Sequence, residues 1–99
     1  MKYTLENQTL TLYFSGEINS SNADGIEQNV DSILSSSAFS AVLVDLGDVP
    51  YVSSAGLRIF VRIRQQCDDV SLINAQGVVY EVLEMVGLPN LMRVEKKKD

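Results

Sequence analysis

Apolar and polar residues alternate along Lys2–Glu6, with Tyr3 and Leu5 set against polar neighbours. They alternate again along Thr9–Ser15, where Leu10, Leu12 and Phe14 face one way and Thr9, Thr11 and Tyr13 the other. A period of two marks a half-buried strand, and two such runs across the short Asn7-Gln8 turn predict an antiparallel hairpin. Gly16-Glu17-Ile18-Asn19 leaves the second strand, and the period then changes. Ile26, Val30, Ile33 and Leu34 recur at i, i+4, i+7 and i+8, which is one apolar helix stripe. Ser20, Ser21 and Asn22 ahead of it are candidate N-caps, and Asp24 and Glu27 place negative charge near the positive end of the helix dipole. The run Ser35-Ser36-Ser37 predicts its end.

Ala41–Leu46 is almost continuously apolar, the pattern of a strand covered on both faces within a parallel sheet. A loop follows over Gly47–Ser53, then a helix from Ala55 to Cys67. Arg58, Arg62, Gln65 and Gln66 form its one polar stripe. Leu57, Ile59, Phe60, Val61 and Ile63 cover the rest, which predicts deep packing. Asp68-Asp69 breaks this helix, and Val70–Ala75 reads as another strand. Gly77 opens a third helix with Val78, Val79, Val82, Leu83, Met85 and Val86 at helical spacing. Gly87 stands where a left-handed cap is expected, with Pro89 two residues on. Leu91–Val94 predicts a short edge strand and residues 95–99 a charged tail. The order β-β-α-β-α-β-α-β predicts one α/β domain over residues 1–99. Its mixed sheet opens with a hairpin, continues in parallel strands with right-handed crossovers, and carries helices packed on it.

Composition narrows the function classes. The 99 residues are 45% hydrophobic, enough for one core, and 8 basic against 13 acidic residues leave a net charge of -5. Direct nucleic-acid binding needs a concentrated basic face and is not expected. With no His and one Cys, a His-based relay and a Cys/His zinc site are excluded, as is an internal disulfide. Cys67 reads as a buried structural thiol in a reducing compartment. No leader peptide or membrane-inserting run is visible, so a cytoplasmic protein without cofactor or metal is expected.

The chemistry that stands out lies at the mouth of the second helix, Val52-Ser53-Ser54-Ala55-Gly56-Leu57. With Ser54 as N-cap, Ala55 is N1, Gly56 N2 and Leu57 N3, and the Ser54 hydroxyl can accept from the amide of Gly56 or Leu57. The same position suits an anion, because the free amides and the dipole of a first turn favour negative charge. A phosphate there would add about -1.5 to -2 charge. Gly56 costs a helix roughly 1 kcal/mol relative to Ala, which points to a close approach there, by the chain's own junction or by a partner.

Val42-Leu43-Val44-Asp45-Leu46-Gly47-Asp48-Val49-Pro50-Tyr51-Val52-Ser53-Ser54-Ala55-Gly56-Leu57 resembles the signature of STAS domains, in particular bacterial anti-sigma factor antagonists (anti-anti-sigma factors). Leu12–Asn19, Val70–Ala75 and Val82–Leu88 are similar to further landmarks of that family, in the same order. The resemblance implies partner switching. The unmodified antagonist binds an anti-sigma factor that is also a GHKL-type serine kinase, and a sigma factor is released. Phosphorylation by the kinase ends the complex, and a serine phosphatase resets the cycle. The phosphoacceptor of the family falls on Ser54; a plain N-cap is the structural alternative. Asn19, Asp45, Asp48, Ser53, Gly56, Leu57 and Arg58 are the residues implied in partner binding.

Two departures from the family pattern bear on this. Asn19 stands where Asp is usual, which keeps turn chemistry and removes a charge. The family's usual C-terminal helix is not expected after the last strand, which would leave apolar surface open to self-association or a partner helix. Two other function classes fit less well. One is a stand-alone STAS subunit or scaffold of a lipid-trafficking ABC transporter or stress complex, not regulated by phosphorylation. The other is an enzyme with a serine nucleophile, but the loop lacks the first glycine of a nucleophile elbow and the chain has no His.

Overall fold

The computed structural model describes residues 1–98. Its elements are β1 (Lys2–Glu6), β2 (Thr9–Ser15), α1 (Ala23–Ser36), β3 (Ala41–Asp48), α2 (Ser54–Gln66), β4 (Val70–Ala75), α3 (Gly77–Met85), a 3-10 turn (Leu88–Asn90) and β5 (Arg93–Lys96). The five strands form one sheet in the order β1-β2-β3-β4-β5. β1 and β2 are antiparallel, and every later pair is parallel.

The hairpin is closed by Asn7 and Gln8, both left-handed with φ of 49° and 66°. Positive φ at both central residues is the type I′ turn, whose twist matches that of the flanking strands. Along the parallel strands the alternation is kept in register. Leu10 pairs with Val42 and Val42 with Val70, while Leu12 pairs with Val44 and Val44 with Leu72. These residues share one face of the sheet, and each is at most 3% exposed. They join Val30, Ile33 and Leu34 of α1, Ile59, Phe60 and Ile63 of α2, and Val79 and Leu83 of α3 in a single core. Phe14 meets Phe60 edge to face, with ring centroids 5.7 Å apart.

All three helices therefore lie on one face, and the molecule has two layers. This corrects the expectation that β3 is covered on both sides. Val42, Val44 and Leu46 are buried, whereas Ala41, Leu43 and Asp45 on the other face are only half-buried. Neighbouring strands, rather than a second helical layer, shield Leu43. The second helix is also less enclosed than its composition implies: Leu57 and Val61 are half-buried on its outer flank. In α3 only Val79 and Leu83 are buried, and Val78 and Met85 lie open. Gly87 takes the expected left-handed conformation, φ 79°, and its amide donates to the carbonyl of Glu84. The last strand lies later than predicted, so Glu95 and Lys96 belong to it, and the Lys97 amide donates to Ala75. The expected tail otherwise reduces to Lys97 and Lys98, since Asp99 falls outside the described residues. Cys67 is half-buried, not buried. Among the described residues no helix is long and apolar enough to cross a membrane.

Candidate functional site

β2 and β3 end side by side, and the loops that follow them stay paired. The Gly16 amide donates to Asp48, the Ile18 amide to Tyr51, and the Ser53 amide to Ile18, at 2.9, 3.0 and 2.8 Å. Ile18 and Val52 form a parallel bridge beyond the strands. Both side chains are buried, as is that of Val49. The pairing thus runs to the mouth of α2 and fixes where that helix begins.

It begins one residue earlier than predicted. Ser53 is extended, with φ -88° and ψ 174°, and its carbonyl accepts the first helical bond from Leu57 at 3.0 Å. Ser53 is the N-cap, Ser54 is N1 and Gly56 is N3. The shift follows from the Ser53–Ile18 bond, which holds Ser53 in the ladder and hands the next residue to the helix. The Ser53 hydroxyl is buried and makes no hydrogen bond, so the helix has no side-chain cap. Ser54 is exposed. Its amide and those of Ala55 and Gly56 precede the first helical bond and have no intrahelical partner. The first turn holds no acidic residue, so the positive end of the dipole is unopposed beside the Ser54 hydroxyl.

Gly56, expected at a contact surface, is buried. A Cβ there would lie 2.6 Å from Ile18 Cγ2 and 2.9 Å from Val52 Cγ1. The close approach implied by the sequence is internal: α2 rests directly on the paired loops. Exposed Arg58 and half-buried Leu57 line a groove on α2. Asp24 and Glu27 of α1 form one wall of it, and Val86 and Leu91 form the other.

Asn19 does more than turn the chain. Its Oδ1 accepts from the amides of Ser21 and Asn22, at 3.0 and 3.2 Å, and from the Ser21 hydroxyl. Asn22 Oδ1 in turn accepts from the Asn19 amide at 2.9 Å. The Asn19 carbonyl accepts from Ala23. These reciprocal bonds close the turn Asn19-Ser20-Ser21-Asn22 that leads into α1, in the pattern of a capping box one turn ahead of the helix. Asn22, one of the three candidate N-caps, is the N-cap of α1, its carbonyl accepting from the Ile26 amide at 3.1 Å with no side-chain cap bond. The closed turn ahead of it was not foreseen, although two Asx residues three apart were the available signal.

Asp45 lies away from this site. It faces the sheet side without helices, where Oδ1 accepts from the Gly47 amide and Oδ2 from Asn74 Nδ2, at 2.9 and 3.0 Å. The Gly47 carbonyl accepts from Gln76 Nε2 and Lys97 Nζ. Asp45 therefore ties together the ends of β3 and β4. Asp48 is exposed at the end of β3, beside the Gly16 amide. The structure thus gathers Asn19, Asp48, Ser53, Ser54, Leu57 and Arg58 around the paired loops and the start of α2. Asp45 and Gly56 serve as internal supports.

A model of the STAS domain family matches residues 2–99. No curated protein matches the chain in sequence. Among solved structures, a Thermotoga maritima protein provisionally assigned as an anti-sigma factor antagonist superposes with a TM-score of 0.86 at 21% identity, covering 96% of this chain and 85% of that one. An anti-sigma factor antagonist from Mycobacterium paratuberculosis gives 0.85 at 20% identity, covering 95% and 82%. The anti-sigma factor antagonist SpoIIAA in its unphosphorylated form gives 0.75 at 16%, covering 94% and 87%. The Bacillus SpoIIAA in its phosphorylated form gives 0.66 at 15%, covering 94% and 90%.

Proposed function

The chain belongs to the STAS domain family, and on that premise we propose that it is an anti-sigma factor antagonist switched at Ser54. The unmodified protein binds, through the mouth of α2, an anti-sigma factor that is also a GHKL-type serine kinase. A sigma factor is thereby released. Phosphorylation of Ser54 ends the complex, and a serine phosphatase restores it. The protein itself works by binding, in the cytoplasm, and its partner does the chemistry. Two structural neighbours that are the same antagonist with and without phosphate support this reading.

The observation that carries the proposal is the placement of Ser54, exposed at the first position of a helix whose first turn has no acidic residue. A hydroxyl there is open to a kinase, and the helix end tolerates the phosphate once made. Binding does not tolerate it. Leu57 and Arg58 follow on the same helix, so a partner covering them meets the phosphate and must desolvate or repel it. A loss of roughly 4 kcal/mol weakens affinity a thousandfold. Asn19, Asp48 and Ser53 surround the site and are proposed to contribute to recognition.

Incubation with such a kinase and ATP, followed by mass spectrometry, should place a single phosphate on Ser54. Ser54→Ala should hold the kinase but no longer be released by ATP. An unmodified protein, together with a Ser54→Ala variant that ATP still releases, would sink the proposal. Recovery of a transporter ATPase or a stress-complex component in pull-down, in place of a kinase, would favour the unphosphorylated subunit or scaffold role.

A further inference from the structure

The free edge of β1 is an unusual surface. All five of its residues are exposed, and Tyr3 and Leu5 stand 46% and 43% open on the helix side of the sheet. Natural proteins blunt such edges. The opposite edge follows that rule: β5 and the residues after it read Arg93-Val94-Glu95-Lys96-Lys97-Lys98, and Arg93 is already paired with Glu95 at 2.8 Å. β1 carries two charges of opposite sign, Lys2 and Glu6. Among the described residues neither is in an ion pair.

The hairpin fixes which backbone groups of β1 are free. In a two-residue loop the closing residues, here Glu6 and Thr9, form a hydrogen-bonded pair, and bonded pairs then alternate. Given the register Thr4–Thr11 and Lys2–Tyr13, Glu6, Thr4 and Lys2 turn their amides and carbonyls toward β2. Tyr3 and Leu5 turn theirs outward. A second strand can add only where these outward groups meet outward groups of its own.

We infer that β1 is a self-complementary edge that pairs antiparallel with β1 of a second copy, about a two-fold axis through Thr4. This register sets Tyr3 opposite the other copy's Leu5, so that the outward amides and carbonyls bond each other. It also sets Lys2 opposite Glu6 on the far face, twice. Moving the register by one residue breaks the match of outward groups. Moving it by two sets Lys2 against an uncharged residue. The contact joins like to like and closes on itself, giving a dimer rather than a filament. Five residues per copy make a small interface, so the association is weak and appears at high protein concentration.

Sedimentation equilibrium from low micromolar to millimolar protein tests this. The unaltered chain should show a monomer–dimer equilibrium. Lys2→Glu sets like charges opposite each other at both ends and should raise the dissociation constant about tenfold. The double variant Lys2→Glu/Glu6→Lys should restore it. Circular dichroism checks that each variant is folded. Amide exchange on the unaltered chain gives a second measure: the Tyr3 and Leu5 amides should slow as concentration rises. A monomer throughout, a dimer indifferent to Lys2→Glu, a swap that fails to restore pairing, or exchange independent of concentration would each overturn the inference.

Discussion

Gly56 shows what a single missing methyl does here. Ile18 and Val52 occupy the space a Cβ would need. Gly56→Ala gains helix propensity of about 1 kcal/mol but must displace two branched core side chains, which typically costs about 1–3 kcal/mol. Urea denaturation should therefore show net destabilisation, the reverse of the usual Gly-to-Ala effect inside a helix. At Asn19 the side-chain oxygen closes the turn that leads into α1. Asn19→Ala should cost about 1 kcal/mol, whereas Asn19→Asp keeps every accepted bond, adds charge at the favourable end of α1, and should melt no lower than the parent. Gln8 sits at φ 66° without being glycine. Gln8→Gly should raise stability by about 0.5–1 kcal/mol in the same denaturation assay. The need for a close approach at Gly56 was legible in the sequence. Its internal partner was not, because Ile18 is 38 positions away in the chain and meets Gly56 only through the paired loops. The same pairing moved the cap from Ser54 to Ser53.

α1 and α2 are clipped together on their outer faces. Arg62 contacts Glu27 at 3.1 Å and Asp31 at 3.0 Å, and Gln66 also reaches Asp31. The Arg62 hydrogen bond outweighs desolvation and, with Gln66 and the Arg62 charge, holds the Asp31 carboxyl below its ordinary value of 3.8. A carboxyl more acidic in the folded than in the unfolded chain stabilises the fold above its unfolded value and ceases to do so as pH falls through the folded one. Asp31→Asn should therefore lower stability slightly at neutral pH and flatten the loss below about pH 4, as read from urea midpoints across pH. The clip is solvent-exposed, so the effect is small and should shrink in salt. Helix positions were legible from the 3.6-residue period. Which apolar residues stay open was not: Val78 and Met85 fit a buried stripe by spacing alone. Their exposure depends on how few helices share the one covered face of the sheet.

At the scale of the whole molecule, the alternation of strands and helices was enough to name the α/β class, and the serine-bearing loop was enough to suggest the family. The two-layer arrangement was hidden, because a parallel strand rich in Val and Leu reads the same with helices on one face or on both. The strands stand in the sheet in the order in which they occur in the chain. No strand has to be inserted between two that have already paired. Each crossover joins immediate neighbours, which keeps the sequence separation of contacts, and hence the loop-closure entropy, low for a parallel sheet. Assembly can therefore proceed in the direction of synthesis, with the hairpin as a template on which β3, then β4, then β5 are laid as they emerge. Pulse-labelled hydrogen exchange during refolding should find the amides of β2 and β3 protected ahead of those of β5. On a ribosome the serine-bearing loop would be in place before the last strand has left the tunnel.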